Sequence, residues 1–176
     1  MGAPPECGPW LLDDSSMKQS GPRSARQDGP RDITERRQMT YANFGHAWLA
    51  MSITLGLHVA DEAAHDFLAW YNPIARRIRT RFGRAPFPPT FTFWPWLTGL
   101  IVLTVSLLAL APLAYEGRPW LRPAAYVLSC INIGNGLLHL GGTALARRPV
   151  PGVLSAPVLL ASALWLLYAT LRFGAV

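Results

Sequence analysis

Apolar residues in this chain gather into four long runs, at about residues 42–71, 91–115, 123–146 and 153–173, with short breaks rich in proline, glycine and arginine between them. Each run is long enough to cross a hydrocarbon core of about 30 Å, which takes about 20 helical residues. Helix is the expected form because lipid offers no partner to open backbone groups. The pattern therefore predicts an all-α integral membrane bundle of about four transmembrane helices. Asn72-Pro73 reads as an N-cap followed by proline in the first helical position. A short interfacial helix is expected from there, over 73–83, with Arg76, Arg77, Arg79 and Arg81 set around Ile74, Ile78 and Phe82. Phe91, Phe93, Trp94 and Trp96 form an aromatic belt where the second run begins.

Residues 1–38 differ in kind. They mix Pro, Gly, Ser, Arg and Asp with no visible period, and such a segment buries too little apolar surface to offset its chain entropy. A disordered polar N-terminal tail is expected there, ahead of a transmembrane helical domain over 39–176. No cleaved targeting segment is expected.

Composition sharpens the class. Of the 176 residues 51% are hydrophobic and 15% charged, against about 25% charged in an ordinary soluble domain. Six of the ten acidic residues precede residue 40, so four serve all the rest. That argues against a soluble enzyme, a disordered chain and a disulfide scaffold. The net charge of +6 comes from arginines flanking the apolar runs, where membrane topology places them. No helix-turn-helix, RNP or zinc-finger spacing accompanies them, so nucleic acid is not an expected partner. The expected location is multi-pass in the cell membrane, with the bilayer itself as the principal partner.

Chemistry concentrates in the first run. His58, Asp61, Glu62 and His65 stand at i, i+3, i+4 and i+7, which places all four on one helical stripe. Ionised carboxylates inside a bilayer cost about 2.5–3.5 kcal/mol each on insertion scales. Metal binding, mutual pairing or a wet helix end would offset that cost. The third run has Asn132, Asn135 and His139 at i, i+3 and i+7, among Gly134, Gly136, Gly141 and Gly142, which permit close helix approach. The two runs cross in the same direction. His58 and His139 each lie about 22–24 Å along their helices at 1.5 Å per residue, hence at similar depth. One shared site is expected.

Imidazole with carboxylate suits a divalent transition metal such as zinc, iron or manganese. The expected ligands are His58, Glu62, His65 and His139. Asp61 is expected as a second ligand or as a base activating bound water, and Asn135 as the group that orients His139 or the substrate. Without a metal, His58 and Glu62, one turn apart, could move protons on a buried substrate.

The segment His58-Val59-Ala60-Asp61-Glu62 resembles the His-x-x-Glu-Glu motif of the HXXEE domain proteins, with Asp in place of the first Glu. Asn135-Gly136-Leu137-Leu138-His139 resembles that family's Asn-x-x-x-His element, and Pro151-Gly152 its following Pro-Gly. The resemblance covers about residues 44–170. It implies a bundle of membrane helices and no established reaction.

The leading expectation is a membrane-embedded, metal-dependent enzyme acting on a lipid or other apolar small molecule, a hydrolase or oxidoreductase. The alternatives are a metal-free acid/base isomerase or cyclase using His58 and Glu62, a small proton- or cation-coupled transport or binding protein, and polar groups serving only as interhelical glue. Four helices are few for transport, so that reading calls for a homo-oligomer.

Overall fold

The computed structural model describes Gly2, residues 30–82 and residues 88–173. Most of the expected disordered tail lies outside the described residues. Among those described the protein is all-helical, with no strand. Six helices follow in order: α1 (Pro30–Ala64), α2 (Phe67–Phe82), α3 (Phe93–Ala109), α4 (Ala111–Tyr115), α5 (Leu121–Ala146) and α6 (Ala156–Phe173). The four apolar runs correspond to α1 with the start of α2, α3–α4, α5 and α6. Helix α1 begins well before the first apolar run, so residues 30–38 are helical and belong to its polar first turns.

The first break differs from the expected one. The chain turns at His65–Asp66, not at Asn72-Pro73, and α2 runs straight through Pro73. Asp66 supplies the turn by taking a left-handed backbone, φ 52°, a conformation that Asp tolerates better than most residues. Asn72 has a different role from the N-cap. Its Nδ2 donates to the Phe91 carbonyl at 2.9 Å and its Oδ1 accepts from the Phe91 amide at 3.1 Å. The two bonds clamp α2 to the entry of α3. The break in the second run falls at Leu110, just before Pro112, whose missing N–H interrupts the helical ladder.

Helix α1 is the hub, packed against α6, α3 and α4, while α5 packs on α6. Its buried stripe starts apolar, with Phe44, Trp48, Met51 and Leu55. Continued at the same helical spacing, it reaches His58 and Glu62, which are also buried. Trp48 Nε1 donates to the Leu107 carbonyl at 2.8 Å, which ties α1 to the end of α3. Thr54 and Ser162 share a 2.6 Å hydrogen bond between α1 and α6. Small residues set the close approach of α5 and α6, since a Cβ on Gly136 would stand 3.0 Å from Leu160 Cβ and 3.3 Å from the Ala156 carbonyl oxygen.

Among the described residues, α6 is long and apolar enough to cross a membrane. Helix α3 is apolar but stops at 17 residues, where Leu110 turns the chain. Helices α1 and α5 carry polar groups among their apolar residues, and those groups build the site.

Candidate metal centre

The stripe on α1 divides into two pairs. On a helical wheel at 100° per residue, His58 and Glu62 lie on one flank and Asp61 and His65 on the other. His58 and Glu62 face α5. Asp61 and His65 face the 149–155 connection before α6. The division follows burial: His58 and Glu62 are 0% and 4% exposed, whereas the His65 side chain is 53% exposed.

Across from the first pair, α5 presents Asn135 and His139. His139 Nε2 lies 3.0 Å from Glu62 Oε1, and His58 Nε2 lies 3.4 Å from the same oxygen. The two imidazole rings meet edge to face, with centroids 4.8 Å apart. Asn135 Nδ2 stands 3.1 Å from His58 Nε2. His58, Glu62 and His139 thus form a buried group whose ligand atoms all lie within 4.8 Å of one another, and it could hold a metal ion.

The hydrogen-bond network assigns the His58 tautomer. The Ser155 hydroxyl and amide both donate to Asp61 Oδ2, at 2.7 and 3.0 Å. With its proton directed to the carboxylate, Ser155 Oγ accepts from His58 Nδ1, 2.8 Å away. His58 therefore carries its proton on Nδ1 and turns the Nε2 lone pair inward. The donating Asn135 amide is consistent with the same tautomer. That lone pair accepts from Asn135 Nδ2 at 3.1 Å with Glu62 Oε1 3.4 Å away, so a cation between imidazole and carboxylate would take the place of the Asn135 hydrogen bond. A buried carboxylate also needs a positive partner, because desolvation costs several kcal/mol per ion.

Donors about 2.0–2.1 Å from a tetrahedral metal stand about 3.3–3.4 Å apart. The two separations from Glu62, 3.0 and 3.4 Å, lie near that spacing, and all three ligand atoms lie within 4.8 Å of one another. Two imidazoles with one carboxylate suit zinc, and the same set suits non-haem iron. The Asp61–Ser155–His58 chain is the kind of outer support that orients a ligating histidine. His139 Nδ1 is buried with no hydrogen-bond partner, so this ring is fixed by Nε2 and by packing alone. The packing comes from Phe67 and Trp70 on α2, with ring centroids 5.7 and 6.4 Å from that of His139.

Of the residues expected at the site, His58, Glu62, Asn135 and His139 come together. Asp61 points away from that group toward Ser155, and His65 stays outside it, with Nδ1 2.9 Å from Asp61 Oδ1. Ser155 is a further member of the site. It precedes α6 and joins His58 to Asp61. Nothing in its local sequence marks it, because the contact is made over 97 residues of chain. Gly152 is the other structural member, with φ 86°, and a Cβ there would lie 2.7 Å from His139 Cε1 and 3.0 Å from Glu62 Cγ. The Pro-Gly pair was its one sequence signal.

Comparison of the chain with protein-family models, with curated proteins and with solved structures finds no match.

Proposed function

We propose that the protein is a membrane-embedded, metal-dependent enzyme acting on a lipid or other apolar molecule, with His58, Glu62 and His139 as ligands. The observation that carries the reading is the inward-facing His58 lone pair, 3.4 Å from a Glu62 oxygen that also meets His139 Nε2 at 3.0 Å. A bound divalent ion would polarise a substrate oxygen or activate a water. Asn135, beside His58 Nε2, is placed to hold the substrate's polar group. Asp61 and Ser155 would fix His58 rather than bind the ion.

The multi-pass membrane reading belongs to the same proposal. Its support is the outer surface of the helices. Ile53 and Leu57 on α1, Val102 and Val105 on α3, and Val127 and Leu145 on α5 are all exposed. Apolar surface on this scale suits lipid better than water. So does the pairing of α2's four arginines with Ile74 and Ile78, as in helices lying at a membrane surface. The HXXEE resemblance fits such a protein and is proposed with it. Asp61 would then hold the family's first Glu position in an outer-support role.

A metal-free acid/base reading has one observation of its own, the His139 Nε2–Glu62 Oε1 contact at 3.0 Å, which serves equally as a hydrogen bond that shares a proton. Titration of the detergent-purified protein with zinc, iron(II) and manganese(II) separates the two. The metal reading expects binding of one ion per chain, lost in His58→Ala and in His139→Ala. Equal binding by wild type and both variants would refute it.

A further inference from the structure

Two cavities flank the His58–Glu62–His139 group. One, of about 230 Å3, lies among α1, α3 and α5, with Leu55, Leu100, Leu103 and Ile131 in its wall. The other, of about 540 Å3, lies between α2 and α5, against Trp70, Ile74, Ile78 and Leu138. Both are mainly aliphatic and aromatic. Phe67 and Asn135 line both, so the cavities adjoin at those two side chains.

The polar groups are distributed in a telling way. His58 and Glu62 open on the smaller cavity and His139 on the larger. His139 and Glu62 nevertheless touch at 3.0 Å, and Asn135 reaches His58 at 3.1 Å. The reactive cluster therefore sits where the cavities adjoin, with apolar space on either side. A molecule with a terminal head group needs one polar pocket and one apolar one. This arrangement instead matches a molecule whose polar group is internal.

We propose that the site binds an apolar chain carrying an oxygen-bearing group within its length, such as a long-chain ester, with one arm in each cavity and the polar group at Asn135. This rests on the enzyme reading for the role of the metal group and adds the substrate class. The larger cavity has more than twice the volume of the smaller, so the arms are unequal. The larger volume alone falls within the range of about 300–1,000 Å3 usual for small-molecule sites. Phe67, common to both walls, would divide the arms.

Photolabelling tests the proposal on the full chain in detergent. The probe is a long-chain ester with a diazirine in each arm, and labelled peptides are mapped by mass spectrometry. Labels are expected on α2 near Ile74 and on α3 near Leu103. Because one molecule straddles both cavities, Leu103→Trp should weaken labelling at both places by about tenfold, the equivalent of 1.4 kcal/mol of binding, and Ile74→Trp should do the same. Both positions are part-exposed, Leu103 at 40% and Ile74 at 38%, so a larger side chain can be accommodated. If each variant loses label only in its own cavity, the straddling ligand is refuted. It is refuted equally if a fatty acid of the same length, with its diazirine at the chain end, labels both cavities as well as the ester does. Elemental analysis of the same samples keeps the two claims apart. Ester labels in both cavities on a metal-free protein would sink the metal reading alone, and a metal-loaded protein labelled in one cavity would sink the two-arm ligand alone.

Discussion

Replacing Gly152 with alanine strikes the His58–Glu62–His139 group without removing any of its candidate donors. Two separate penalties arise. The backbone at 152 has φ 86°, a region that costs an L-residue about 1–2 kcal/mol. The new methyl group would also stand 2.7 Å from His139 Cε1 and 3.0 Å from His139 Nδ1 and Glu62 Cγ. None of these neighbours can move freely. The His139 ring lies against Phe67 and Trp70, and Glu62 is held between two imidazoles. Overpacking of this kind costs about 1–3 kcal/mol. The combined loss is about 2–5 kcal/mol if the structure yields in neither respect. For a chain of this size each kcal/mol lowers Tm by about 2–4 °C. The assay is thermal unfolding in detergent, followed by zinc titration of the folded protein. Gly134→Ala is the control: its Cβ would meet nothing within 4 Å, and alanine in mid-helix gains about 0.5–1 kcal/mol over glycine. The expected outcome is a Gly152→Ala protein that unfolds several degrees lower and binds zinc more weakly, beside a control that does neither. A Gly152→Ala protein with wild-type Tm and zinc affinity would refute the packing argument, because it would mean that the 150–155 turn does not press on the His139–Glu62 pair.

Other substitutions follow from the same geometry. Ser155→Ala removes the acceptor for His58 Nδ1 and the hydroxyl donor to Asp61; metal affinity should fall about 10–100-fold, the usual effect of losing an outer partner, and an unchanged titration curve would contradict the assigned tautomer. His65→Ala should leave metal stoichiometry at the wild-type value, since the polar contacts of His65 among the described residues go to Asp61 and its ring stands half in the open; loss of the ion in this variant would restore His65 as a ligand. Asn72→Ala removes both bonds to Phe91; at about 0.5–1.5 kcal/mol per hydrogen bond it should lower Tm measurably and speed proteolysis between α2 and α3, and an unaltered cleavage rate would show that the clamp is dispensable.

The meeting of α1 and α5 was legible in the sequence because it depends on periodicity and length. His58 and Glu62 are four apart, as are Asn135 and His139, and the two histidines lie at equal distances along two apolar runs expected to run in the same direction. Those facts need no tertiary information. The division of the stripe did need it. His58, Asp61, Glu62 and His65 share one face in projection, and whether Asp61 meets α5 or the 149–155 turn depends on where that turn passes. Ser155 was hidden for the same reason, as a hydroxyl in an unremarkable Pro-Gly-Val-Leu-Ser connection. The turn at Asp66 escaped because it is a local left-handed backbone without glycine, whereas Asn72-Pro73 carries stronger textual punctuation. Pro73 is tolerated within α2, and the Asn72 side chain is already engaged with Phe91, 19 residues away. The all-helical class was legible in the apolar runs. Helix boundaries came from side-chain contacts that the runs do not encode.

The most direct test of the metal centre is elemental analysis of the purified wild-type protein beside Glu62→Ala, with circular dichroism to verify that both are folded. The account predicts one transition metal per wild-type chain and none in the variant, because Glu62 Oε1 is the atom that both imidazoles approach. Folded wild-type protein without metal, unable to take up zinc, iron or manganese when these are supplied, would contradict it.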